Sequence, residues 1–213
     1  RLDRFHAFDP QTGVLTAEAG VSLGEIATAL LPRGWFPAVV PGTRFVSLGG
    51  AIAADVHGKG HHVVGCFGEH VTRLKMRVAD GRVLWCSDEA HPELFRATIG
   101  GMGLTGHVLE VEFRMRPIPS PWIWQESRRV DDIDAYIDAL KDAAQKWPYT
   151  VGWIDCLSPG ANMGRGILMA GGLVWWLGSN WPDLVVGVAV AGIAAWGGIG
   201  ILRDAHDEHH KAV

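Results

Sequence analysis

Apolar and polar residues along this chain alternate with a period of two over several short stretches and with a period near 3.6 over others. The pattern predicts short strands interleaved with short helices. FHAFDPQTGVLTAEAG reads as two strands around a D-P-x-T-G turn, because Pro10 and Gly13 carry turn chemistry and apolar residues flank them. Ser22-Leu23-Gly24-Glu25 has capping-box spacing, with Ile26, Ala27 and Leu30 following on one face, so a helix is predicted over about 23–32, ending near Pro32 and Gly34. Trp35 to Val40 is apolar and extended, and Pro41-Gly42-Thr43 breaks it. Phe45 to Val64 is rich in Gly, Ala and His with little periodicity, and is predicted to form binding loops. His70–Ala79 and Arg82–Ser87 alternate around Asp80-Gly81, the signal of a β-hairpin with a two-residue turn. Pro92–Ile99 reads as a short helix, Gly100–Gly106 as a turn and His107–Met115 as a strand. Asp131–Trp147 has the period of an amphipathic helix, and Thr150–Leu157 reads as a strand. The whole is an α+β pattern, a mostly antiparallel sheet with flanking helices rather than regular βαβ units.

The composition changes near residue 170. Four of the ten tryptophans, Trp175, Trp176, Trp181 and Trp196, fall in the last forty residues, where Gly and aliphatics dominate. Leu184–Leu202 carries no charge over nineteen residues, close to the ~20 that cross a hydrocarbon layer, so a single transmembrane helix is predicted there. A buried core helix is the alternative; the glycines of the stretch favour the membrane, where small residues allow close helix packing. Gly166–Gly178 is apolar but too short to span, and is read as an interfacial or partial segment. Arg203 and Lys211 place the C-terminus in the cytoplasm. The predicted division is therefore 1–170 and 171–213, and the protein is expected to be membrane-associated.

Charge narrows the function classes. The formal net charge is −4, from 19 Lys+Arg against 23 Asp+Glu, so no basic surplus exists for neutralising phosphates and nucleic acid is dropped as a partner. Cys66, Cys86 and Cys156 are widely spaced and odd in number, which makes neither a C-x-x-C pair nor a disulfide framework. The chain opens without an initiating Met or an apolar leader, and an upstream part is expected.

Two glycine clusters carry the chemistry. Gly101-Met102-Gly103-Leu104-Thr105-Gly106 matches the G-x-G-x-x-G dinucleotide fingerprint, but a helix precedes it and a strand follows, the reverse of the Rossmann order, so a sharp helix-to-strand turn is preferred to NAD binding. Pro41-Gly42-Thr43, followed by Ser47-Leu48-Gly49-Gly50-Ala51-Ile52-Ala53-Ala54-Asp55-Val56-His57-Gly58, is more specific. Small residues let main chain lie against a flat or anionic ligand, and Thr43 and Ser47 add hydroxyl donors. His57, His61, His62 and His70 suggest a metal by their spacing, but no Cys or carboxylate pattern completes a zinc site and no metal is predicted. His206, His209 and His210 lie among acidic residues and read as a solvated tail.

In order and spacing, PGT, SLGGAIAADVHGKGHH, GCFGEHV, ADGRV and ELFRATIGGMGLTG resemble the PCMH-type FAD-binding domain of the vanillyl-alcohol-oxidase superfamily, over residues 1 to about 170. The likeness is to oxidases of sugars and polyprenyl-phosphate sugars. It implies a noncovalent FAD held by Gly42 and Thr43, by Ser47, Leu48, Gly49 and Gly50, by Ala54, Asp55, Val56 and His57, and by a main-chain contact at Val108. It also implies oxidation of a secondary alcohol by hydride transfer to the flavin, and makes GGMGLTG a family motif rather than an NAD site. The family's diphosphate-gripping R-G-x-G-R-S-Y-G loop has no counterpart after Arg1, nor do its substrate domain and C-terminal catalytic lysine region. No catalytic acid or base is therefore nominated, and poor FAD retention without turnover is expected of these residues alone. GLVWWLGSNWPDLVVGVAVAGIAAWGGIGILRDAHDEHH resembles the last transmembrane helix of cation diffusion facilitator transporters. The rival expectation is a transporter-like fusion remnant without catalytic activity.

Overall fold

A computed structural model describes residues 2–173 of the chain. Strands β1 (Phe5–Phe8) and β2 (Val14–Glu18) pair antiparallel across the predicted turn. There the Asp9 carboxylate accepts from Gln11 N–H at 2.8 Å and Thr12 Oγ1–H at 2.7 Å. Helix α1 (Leu23–Leu30) starts on the capping box that the sequence spells out: Ser22 Oγ accepts from Glu25 N–H, and Glu25 Oε2 accepts from Ser22 N–H at 2.8 Å. The chain then turns back as β3 (Trp35–Pro37).

Phe45–Val64 departs from the loop expectation. It contains α2 (Leu48–Ala53) and the single turn α3 (His61–Val64). Ser47 caps α2 by accepting from Gly50 N–H, and Leu48, Ala51 and Ile52 are fully buried. Tertiary burial holds this helix, not propensity: a Cβ at Gly49 would stand 3.3 Å from Ala19 Cβ, so the close approach favours glycine over the residues that advertise a helix.

β4 (Val71–Arg77) and β5 (Val83–Cys86) form the predicted hairpin with a different turn. Val78 N–H bonds Arg82 O at 3.0 Å and Gly81 N–H bonds Val78 O at 2.9 Å, which closes a three-residue loop with Gly81 alone left-handed at φ 87°. A two-residue type I′ turn would need positive φ at both central residues, and Asp80 does not adopt it. Helix α4 (Pro92–Thr98) and the long strand β6 (His107–Pro117) follow as predicted.

The sheet order is β1-β2-β6-β4-β5, with β3 on the far end of β6. Leu15, Leu74, Met76, Val111 and Phe113 face the helices and pack with Ile26, Ile52 and Phe67 in one core. The opposite face is a charged ladder in which Arg73 pairs with Glu112 at 2.6 Å and Lys75 with Glu110 at 2.7 Å, both cations lying over Trp85.

A second, three-stranded sheet follows, in the order β7-β9-β8, from β7 (Ile123–Val130), β8 (Tyr149–Ile154) and β9 (Gly166–Leu173). Helix α5 (Ile133–Lys146), capped by Asp132 on Ala135 N–H, covers one face through Val130, Ala139, Ala143, Leu168 and Ala170. Strand β9 corrects the interfacial reading of Gly166–Gly178 over its described part. Residues 166–173 form the central strand, apolar on both faces, which gives the continuous apolar run of a membrane segment without being one. No helix among the described residues is long and apolar enough to cross a membrane. The predicted span 184–202, its transporter likeness and the polar tail lie outside the described residues.

Candidate functional site

The two glycine clusters, fifty residues apart, meet at the C-terminal end of α2. Gly100 N–H donates to Ile52 O at 2.9 Å and Met102 N–H to Ala53 O at 2.8 Å, fastening the 100–106 turn to that helix. Directly after the helix Asp55 sits in the left-handed region at φ 42° and accepts from Gly68 N–H at 2.8 Å. Val56 donates to Ala51 O and accepts from Phe67 N–H, so Ala54–His57 is a fixed turn. On the other side of α2, Leu23 and Gly24 donate to Val46 O and Arg44 O, while Leu48 and Gly49 donate to Val21 O and Ala19 O, all within 2.8–2.9 Å. These four bonds zip the 44–49 segment onto the 19–24 loop.

This accounting divides the predicted ligand residues into two groups. Leu48 lies in the core, and the N–H groups of Leu48, Gly49 and Gly50 are spent on Val21, Ala19 and Ser47 Oγ. Leu48, Gly49 and Gly50 therefore shape the site more than they donate to it, while Ser47 Oγ accepts from Gly50 N–H. Gly42 and Thr43 are exposed, and the N–H groups of Gly42, Thr43 and Arg44 meet no acceptor among the described residues; neither do those of His57, Gly58 and Lys59. Free backbone donors on two neighbouring small-residue loops are what an anionic diphosphate accepts from. At Gly42 nothing stands within 4 Å of where a Cβ would be, so main chain there is open to a ligand. Ala54 is exposed beside the site. Val108 lies opposite Met76 in β6, and the neighbouring Leu109 O accepts from Ala19 N–H, which links this strand end to Gly49 through Ala19.

The histidines of HGKGHH have separate partners. The His57 and His61 rings meet edge to face at 5.5 Å, and His61 Nδ1 lies 3.8 Å from Cys66 Sγ. His62 Nε2 reaches Trp147 O at 3.1 Å, and His70 Nε2 reaches Val64 O at 2.9 Å. Burial, with the Asp55 and Glu69 carboxylates nearby, pushes the Cys66 thiol up, which keeps it protonated.

Sequence reasoning missed the cavity. About 300 Å³ of apolar space is walled on one side by Phe36, Val39, Val40 and the Gly58–Gly60 loop, and on the other by Ile123, Gln125, Tyr149, Val151 and Met169 of the three-stranded sheet. This volume is at the lower end of those of small-molecule sites. Lys59 lies inside the quoted HGKGHH motif and Val151 inside the predicted strand 150–157, but the sequence pattern does not mark β7 or β9 as strands, so it gives no sign that the two walls meet.

Residues 1–87 match the family described as FAD binding domain. Over this stretch the chain is similar to that family. FAD is the cofactor, and the free donors, the open main chain at Gly42 and the adjoining apolar cavity fit its diphosphate and its ring system. The chain is 36% identical over 174 residues to decaprenylphosphoryl-β-D-ribose oxidase of Mycolicibacterium smegmatis, covering 81% of this chain and 38% of that protein. It is 38% identical over 149 residues to an uncharacterized protein of Streptomyces coelicolor, covering 70% and 40% of the two chains. It is also 30% identical over 118 residues to L-gulonolactone oxidase of Scyliorhinus torazame, covering 55% and 26%. The chain thus spans 38% and 40% of the length of the first two relatives.

Proposed function

We propose that this FAD-binding chain is part of an oxidoreductase that oxidises a secondary alcohol of a sugar, a sugar lactone or a polyprenyl-phosphate sugar. The observation that carries the reading is the apolar cavity walled by the Gly58–Gly60 loop, directly after His57. Bound FAD would supply the hydride acceptor. The chain's own part is binding and orientation: Gly42–Arg44 and His57–Lys59 offer main-chain donors to the diphosphate, and the cavity walls exclude water from the ring. The sugar- and lactone-oxidising relatives support the substrate class.

The test is to load the full chain with FAD and mix it anaerobically with sugar and polyprenyl-phosphate-sugar alcohols. Bleaching of the visible flavin band is the expected result; a band unchanged by every alcohol would overturn the substrate class. Gly42→Ala is expected to leave the fold's stability unchanged, since its Cβ meets open space, while weakening FAD binding roughly tenfold, the factor of 1.4 kcal/mol. Equal FAD affinity in both proteins would remove Gly42 from the site.

We also propose that the uncharged Leu184–Leu202 stretch anchors the chain in a membrane. Retention in the membrane pellet after alkaline carbonate extraction is the expected outcome. Release into the supernatant would mean that the stretch does not span.

A further inference from the structure

The three-stranded sheet touches the Gly58–His62 loop at one short segment, and three independent contacts converge there. Just after α5, Trp147 O accepts from His62 Nε2–H at 3.1 Å, and at the start of β8 Thr150 N–H donates to Lys59 O at 2.9 Å. Between these two bonds Gly60 is buried in a close contact: a Cβ would stand 3.1 Å from Pro148 O and 3.3 Å from the Tyr149 ring. Gly60 has no positive φ, so close approach and not backbone conformation is what favours glycine there. The same two segments, Gly58–Gly60 and Tyr149–Val151, face each other across the cavity. Whatever moves one against the other changes the space beside the flavin.

We propose that the Gly58–His62 loop is a latch that seats the three-stranded sheet on the FAD-binding domain, with His62 and Gly60 as positioning residues that set the width of the cavity. Its importance for catalysis rests on the oxidoreductase reading above; the latch itself does not. His62 acts through Trp147 O and touches no reacting atom. Its Nε2–H donates to that carbonyl in the tautomer the geometry selects. Gly60 acts by absence: a methyl group there pushes Pro148 and Tyr149 outward by a few tenths of an ångström.

The experiment compares the full wild-type chain with His62→Leu, His62→Gln and Gly60→Ala by amide hydrogen exchange at Thr150, without FAD, and by the visible spectrum of added FAD. In His62→Leu the Thr150 amide is expected to exchange roughly tenfold faster, as loss of about one net hydrogen bond implies, with a shifted flavin band. His62→Gln, whose amide nitrogen can donate to the same carbonyl, restores both readouts. Gly60→Ala shifts the flavin band with His62 intact. Unchanged Thr150 exchange in His62→Leu, or failure of the glutamine to rescue it, overturns the latch. A wild-type chain that takes up no FAD would instead sink the flavin reading and leave the exchange result standing.

Discussion

Gly58→Ala is expected to weaken FAD binding by tenfold or more and to destabilise the fold by about 1–3 kcal/mol, the cost of overpacking a closed site. The new methyl carbon would stand 2.4 Å from Val40 O and 3.2 Å from Val40 N. Those are main-chain atoms, so no side-chain rotation relieves the clash, and the 38–40 segment and the His57–Gly60 loop must separate. Both segments wall the cavity. Gly81→Ala is the control, because its strain of roughly 1–2 kcal/mol comes from the left-handed φ of a distant hairpin turn. The control loses comparable stability and keeps its FAD affinity. Chemical denaturation and fluorescence titration of FAD measure the two quantities; a Gly58→Ala protein that binds FAD like the wild type would show that the loop is not against the ligand.

Asp55→Ala is expected to cost about 2–3 kcal/mol, and Asp55→Asn under about 1 kcal/mol. Two terms add in the alanine. The part-buried Gly68 N–H loses a carboxylate acceptor at 2.8 Å, and a residue with an ordinary Cβ is left at φ 42°. Asparagine keeps an acceptor oxygen at the same reach and tolerates the left-handed region, so it removes only the charge. Gly68 offers no alternative route, since a Cβ there would lie 2.3 Å from Ile99 Cγ2. Urea midpoints of the three proteins decide the matter. Equal midpoints for alanine and asparagine would mean that the bond holding the Ala54–His57 turn contributes nothing.

Both predictions concern the turn after α2, where reading the chain and seeing it folded differ most. Its residues were nominated through a resemblance, and nothing in their periodicity showed that Asp55 holds Gly68 or that Gly58 lies on Val40. Spacing in sequence carries no record of which main-chain groups are already paired. That pairing is what separates Gly42, Thr43 and His57, with free donors, from Leu48, Gly49 and Gly50, whose donors are spent.

By itself the sequence determined the elements whose information is local. The Ser22–Glu25 capping box, the amphipathic stripe of α5, the Asp9–Gly13 turn and the alternation of β4, β5 and β6 each depend on residues within a few positions of one another. The cofactor was legible too, through the resemblance carried by PGT, SLGGAIAADVHGKGHH and the later motifs in their order along the chain. Tertiary structure decided the rest. α2 is helical because Leu48, Ala51 and Ile52 are buried against a core assembled from distant strands, and β9 is a strand because β7 and β8 pair with it on both edges. Periodicity reports only elements with one face in water; a glycine-rich helix in a close contact and a central strand apolar on both faces give no such contrast. The cavity likewise exists only where Tyr149 and Gly60, eighty-nine positions apart, come into contact.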